Sequence, residues 1–188
     1  MNVIPTALEG VVRIEPKVFG DARGFFLELY QADRYREHGI GAPFVQDNLS
    51  LSAEGILRGL HLQHPDGQGK LVYVLQGRVL DVAVDVQVGS PTFGQHVAME
   101  LSAERKDQMY VPPGFAHGFC VLEGPALFAY KCTTFYAPDH EIVVAWDDPD
   151  LGIAWPLEEP TLSAKDRSGQ RLRDIDEARL PRYAPRAG

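Results

Sequence analysis

Apolar and polar positions alternate most clearly over residues 79–86, Val79-Leu80-Asp81-Val82-Ala83-Val84-Asp85-Val86. A two-residue period places Leu80, Val82, Val84 and Val86 on one face and Asp81, Ala83 and Asp85 on the other, which predicts a strand with one greasy face and one that carries two carboxylates. Similar runs cover residues 24–30, 44–51, 57–63, 70–75, 96–101, 108–111, 118–122, 126–134 and 142–145. Turn chemistry separates them at Asp66-Gly67, Gly89-Ser90-Pro91, Pro112-Pro113-Gly114 and Glu123-Gly124-Pro125. The one helix predicted before the tail spans residues 33–38, or begins at Gln31. Roughly ten closely spaced strands with almost no helix between them predict an all-β antiparallel barrel or jelly roll, because parallel strands need long crossovers. After Trp155-Pro156 the pattern turns polar and irregular, with Ser163-Ala164-Lys165-Asp166 as its one compact cluster. Residues 1–188 therefore read as a single domain in which 160–188 form a tail that wraps the barrel.

Composition narrows the function classes. The chain has 188 residues, long enough to bury a core without disulfides or metal. Cys120 and Cys132 both lie in apolar stretches and read as reduced thiols of a cytoplasmic protein. The N-terminus has neither a basic start nor a long apolar stretch, and no run approaches the roughly 18 apolar residues that a bilayer span needs, so no membrane association is expected. A net charge of −8 argues against non-specific binding to nucleic acid or to an acidic membrane. An anionic ligand has to be met by a local cationic patch.

One constellation carries chemistry. Arg58-Gly59-Leu60-His61-Leu62-Gln63 leads to Lys70 and, seven residues on, to Gly77; Pro112-Pro113-Gly114-Phe115-Ala116-His117 follows. The spacing resembles the metal-site framework of the cupin family of β-barrels, whose first block has a second His where Gln63 stands and a Glu where Lys70 stands. An ammonium offers three donors and no lone pair, so it is no metal ligand. The resemblance implies a cupin-type jelly-roll β-barrel with a pocket rebuilt to receive negative charge, no metal and no cofactor. On strict alternation His61 and Gln63 face the cavity while Arg58 points away.

The segments 15–26, Phe44-Val45-Gln46-Asp47-Asn48, Leu57-Arg58-Gly59-Leu60-His61, Gly69-Lys70-Leu71-Val72, Phe115-Ala116-His117-Gly118-Phe119, Tyr130-Lys131-Cys132-Thr133, Gly152-Ile153-Ala154-Trp155-Pro156 and Leu162-Ser163-Ala164-Lys165-Asp166 occur in this order over about residues 3–167. Together they closely resemble the dTDP-4-dehydrorhamnose 3,5-epimerase family. The resemblance implies a dTDP-4-keto-6-deoxy sugar as substrate and inversion at C3 and C5, whose protons the C4 ketone acidifies. It further implies His61 as the base, Asp166 as its orienting carboxylate, Tyr130 as the acid on the opposite face and Lys70 beside the enolate oxygen. Carried over in the same way, Arg23, Glu28, Gln46, Asp47, Asn48, Arg58, Lys70, His117, Glu141 and Lys165 contact substrate, and Phe26 and Tyr136 are candidates to pack on the thymine ring. A homodimer through the N-terminal strands is also implied, with residues near Arg23 and Gln46 reaching the partner's site. Leu49 and Leu51 replace residues that are commonly polar in the family.

Competing expectations remain at this level. A mono-epimerase acting at C3 or C5 alone shares the barrel, His, Lys and Tyr. A metal-dependent cupin oxygenase would gather His61, His64 and His117, yet His64 faces away from His61 on a regular strand. A non-catalytic nucleotide-sugar binder would need only the basic residues.

Overall fold

The structure, a computed structural model, describes residues 1–185; the end of the predicted tail, 186–188, lies outside the described residues. Eleven strands run β1 (Asn2–Pro5), β2 (Val12–Glu15), β3 (Val18–Asp21), β4 (Gly24–Leu27), β5 (Gln46–Ser52), β6 (Leu57–Gln63), β7 (Lys70–Asp85), β8 (His96–Ser102), β9 (Gln108–Val111), β10 (Phe115–Cys132) and β11 (Glu141–Val143). The helices are short: α1 (Ala32–Arg36), α2 (Ala164–Arg167) and three single 3₁₀ turns. All strand pairs are antiparallel. This is the antiparallel jelly roll expected from the pattern, of the cupin type that the resemblance implies.

Two strands organise everything else. The predicted runs 70–75 and 79–86 are one strand, β7, and the runs 118–122 and 126–134 merge into β10. They pair with each other along nearly their whole length, and the register shifts between Val121 and Phe128. Gly77 sits at this bend with φ +76, where a Cβ would lie 2.4 Å from the Glu123 carbonyl, so only glycine lets the strands approach. Beyond the bend each long strand changes partners. The first half of β7 pairs with β9 and its second half with β8; the first half of β10 pairs with β6 and its second half with β5. One pair of strands thereby serves both walls of the barrel, which is how sandwich corners form.

The alternation in β7 reads true, but the greasy face is the outer one. Val82, Val84 and Val86 pack with Leu60, Leu62, Ile142 and Val144 beneath Leu172, Ile175 and Leu180 of the C-terminal segment. Isolated bridges Ile56–Thr161, Val144–Gln170 and Val88–Arg182 hold that segment against the barrel. The other face turns Asp81, Ala83 and Asp85 inward, and both carboxylates are buried. Strands β1 to β3, of four residues each, were not among the predicted runs. The run 24–30 ends as a strand at Leu27, and the next residues lead to α1, whose N-cap Gln31 accepts a hydrogen bond from the Arg34 N–H. Among the described residues, no helix is long and apolar enough to cross a membrane.

Candidate active site

A cavity of about 740 Å³ opens into the barrel between the walls built on β5, β6, β7 and β10, with α2 at one side. His61, Lys70, Tyr130 and Asp166 all line it, together with Gln46, Asn48, Arg58, His117, Tyr136, Glu141 and Lys165. The sequence scatters these groups over 120 residues from Gln46 to Asp166; strand pairing gathers them. His117 pairs directly with His61 across β10 and β6, and Lys70 pairs with Cys132, two residues from Tyr130.

Arg58 corrects the alternation argument. In the β6–β10 pairing, Arg58 to His61 spans three steps while Phe119 to His117 spans two, so β6 carries an extra residue. Such a bulge turns one side chain over, and Arg58 joins His61 on the cavity wall. Gly59 makes it possible: its φ is +126 and a Cβ there would meet Gly118 Cα at 2.6 Å. The Arg58 guanidinium is then steadied by Nε donating to Ser52 Oγ at 3.0 Å.

His61 Nε2 lies 2.6 Å from Asp166 Oδ1. Asp166 sits at the third position of α2, where Ser163 caps the helix by accepting from the Asp166 N–H and donating its hydroxyl to Oδ2 at 2.6 Å. Burial pushes the Asp166 carboxyl up, but hydrogen bonds from His61 and Ser163, with the Gly59 N–H, hold it below the ordinary carboxylate value. An ionised carboxylate only accepts, so Nε2 carries the proton and Nδ1 keeps a free lone pair. Glu141 Oε1 stands 4.0 Å from that nitrogen, and Glu141 is itself held by Lys165 Nζ at 2.9 Å and by the Tyr136 hydroxyl at 3.1 Å. An imidazole so arranged can take a proton from carbon and be charge-balanced afterwards.

Burial lowers the proton affinity of Lys70, opposed by Cys132, Glu141 and Asp81. Burial raises that of Tyr130, opposed by Arg58, so its phenol stays protonated. His117 is buried with Nε2 2.8 Å from Asp81 Oδ1. Burial likewise pushes the Asp81 carboxyl up, against His117 and Lys70.

Four predicted contact residues stand outside their own chain's cavity. Asp47 alternates outward between Gln46 and Asn48 and pairs with Lys131 at 2.9 Å. On the exposed β3–β4 hairpin Arg23 pairs with Asp21, while Glu28 just beyond pairs with Arg34; Phe26 is 68% exposed. Gln63 is corrected too: its buried amide does not line the cavity but bonds to the segment after β10. Sequence reasoning missed Asp81, Ser52 and Ser163. The capping-box spacing of Ser163 to Asp166 was a usable signal for the last, and the carboxylate-bearing face of β7 for the first. Among the described residues no group of three or more His, Cys, Asp or Glu is placed to hold a metal ion, and His64 lies with His140 beside a separate surface depression.

Fold and cavity together define a cupin-type barrel with acid–base groups and a lysine where a metal-binding cupin keeps its ligands. The sequence pattern of the dTDP-4-dehydrorhamnose 3,5-epimerase family matches residues 5–174. The chain belongs to that family and is an isomerase. It is 54% identical over 179 residues to dTDP-4-dehydrorhamnose 3,5-epimerase of Pseudomonas aeruginosa, covering 94% of this chain and 98% of that one. It superposes with a TM-score of 0.96, at 54% identity and over 98% of this chain and 99% of the other, on dTDP-6-deoxy-D-glucose-3,5-epimerase from Legionella pneumophila crystallised in complex with dTDP-4-keto-L-rhamnose. It is also 39% identical over 188 residues, 98% of this chain and 90% of the other, to dTDP-4-dehydrorhamnose 3-epimerase of Streptomyces niveus.

Proposed function

We propose that this enzyme inverts C3 and C5 of dTDP-4-dehydro-6-deoxy-D-glucose to give dTDP-4-dehydro-L-rhamnose, using its own side chains and no cofactor. The observation that carries the reading is the His61–Asp166 pair at 2.6 Å, facing a cavity that also holds Lys70 and Tyr130. His61 Nδ1 removes the proton from C3 or C5, and the electron pair moves into the C4 carbonyl to form an enolate. The Lys70 ammonium sits beside the enolate oxygen, supplying charge where charge develops. Tyr130 returns a proton to the opposite face, and solvent restores both residues before the second carbon reacts. Arg58, Lys165 and His117 receive the diphosphate and sugar, with Gln46, Asn48 and Glu141 completing the wall; forked guanidinium groups suit phosphate oxygens.

His61→Asn and Tyr130→Phe test the assignment. Each should lower turnover by about 10² to 10⁴, the usual worth of a positioned base or acid, while dTDP binding measured by calorimetry stays within about threefold. Turnover near the wild-type level in either variant overturns the assignment.

The likeness to a 3-epimerase favours a second reading, inversion at C3 alone. Product stereochemistry read by NMR separates the two.

We further propose a homodimer. Phe25, Phe26, Leu49, Leu51 and Leu75 are exposed, and a second copy covering them would bring Arg23, Phe26, Glu28 and Asp47 to the partner's cavity. Sedimentation that gives a monomer at micromolar concentration contradicts this. Two free, buried thiols fit a reducing compartment, and we place the enzyme in the cytoplasm.

A further inference from the structure

Gln63 stands where the cupin resemblance puts a second histidine, and its side chain makes three hydrogen bonds to backbone, two to the segment 135–137 and one to the loop that follows β6. Nε2 donates to the carbonyls of Asp66 at 3.1 Å and Phe135 at 3.3 Å, and Oε1 accepts from the Ala137 N–H at 2.9 Å. The amide is 5% exposed. The segment it grips carries Tyr136, whose N–H donates to Gln46 Oε1 at 2.9 Å and whose hydroxyl donates to Glu141 Oε2. Glu141 is in turn the β11 residue paired with Gln63 across β6.

Packing does not account for the shape of this segment. Phe135 is 70% and Tyr136 50% exposed, so neither ring anchors the turn by burial. Buried hydrogen bonds are what remains to hold it, and a buried amide that satisfies both of its ends is specific about geometry. Gln63 also stands two residues from His61 on the same strand. The grip therefore fixes Tyr136 and Glu141, both on the cavity wall, in register with the base.

We propose that Gln63 is a positioning residue for substrate recognition: it sets the turn 135–137 so that Tyr136 forms the outer wall against which the sugar nucleotide packs. The inference rests on the proposed function for its substrate, but the grip exists in the free protein and is testable there. Gln63→Met keeps the side-chain length and removes all three bonds. Gln63→Glu keeps an acceptor for the Ala137 N–H and sets a carboxylate against two carbonyls.

Amide hydrogen exchange of the free protein comes first. Gln63→Met should speed exchange at Tyr136 and Ala137 about tenfold or more, and Gln63→Glu at Tyr136, while the β7 and β10 amides keep their protection. With dTDP as the probe, affinity should fall about tenfold, the loss expected of one to two buried hydrogen bonds. KM should rise in proportion while kcat stays within about threefold. Adding Tyr136→Phe to Gln63→Met should cost much less than Tyr136→Phe alone, because the two act through one contact. Unchanged exchange at 136–137, additive losses, or a fall in kcat with KM unmoved overturns the proposal. Should Gln63→Met fail to fold, Gln63→Glu carries the same comparisons, with exchange read at Tyr136. Altered exchange with no turnover in the wild type would count against the proposed function and leave the grip standing.

Discussion

Lys70 and Tyr130 stand on neighbouring strands, and burial displaces their proton affinities in opposite directions. The ammonium is held below its ordinary value of 10.5 and the phenol above its ordinary value of 10.0. Lys70 therefore discharges at a lower pH than a free lysine, while Tyr130 holds the proton it has to give to a higher pH than a free phenol. The alkaline limb of kcat should fall below pH 10.5 and belong to Lys70. In the activity left to Lys70→Arg that limb should move up, because a guanidinium stays charged to beyond about pH 12; a limb that does not move assigns it to another group. Single residues were legible in the sequence when their spacing was diagnostic, as for His61, Lys70 and His117. Asp81 was not, because it acts through His117, which only strand pairing brings near, whereas Ser163 left a signal in its capping spacing to Asp166.

Strand β6 shows how one extra residue places a functional group. Periodicity located its ends, 57–63, yet assigned Arg58 to the wrong side, because a bulge is set by pairing with β10 and leaves no mark on the alternation of β6 itself. Gly59 is the local hint, since its φ of +126 and the 2.6 Å approach to Gly118 exclude a side chain. Gly59→Ala should destabilise the protein by about 2–4 kcal/mol, from left-handed strain and steric overlap together, with activity lost beyond that because Arg58 and His61 no longer share a wall. Urea unfolding checks the first part; a change under about 0.5 kcal/mol would mean that the bulge does not depend on glycine. The merging of runs into β7 and β10 was hidden for a related reason. Turn residues such as Gly77 and Glu123-Gly124-Pro125 mark bends within paired strands as readily as the ends of separate ones.

At the scale of the whole molecule, a chain of net charge −8 brings Arg58, Lys70 and Lys165 to one cavity, where they outnumber Glu141 and Asp166. A focused cationic pocket on an acidic surface draws in an anionic ligand without inviting polyanions. Composition foretold the need for such a patch; only the barrel shows where it lies. The C-terminal segment covers the greasy outer face of β7 and β6, which frees the opposite face to carry Asp81 and His61 inward. In the proposed homodimer a second copy would cover the exposed β3–β4 hairpin and the leucines of β5, and its Arg23 and Glu28 would complete the neighbouring site. The central claim is that His61 and Tyr130 exchange protons on both carbons that flank a C4 ketone, with Lys70 beside the enolate oxygen. Incubation with dTDP-4-dehydro-6-deoxy-D-glucose in D₂O, followed by proton NMR of the sugar, measures this directly. The account predicts loss of the proton signals at both C3 and C5, and no loss at either in His61→Asn. Folded, dimeric wild-type protein that leaves both protons in place would contradict it.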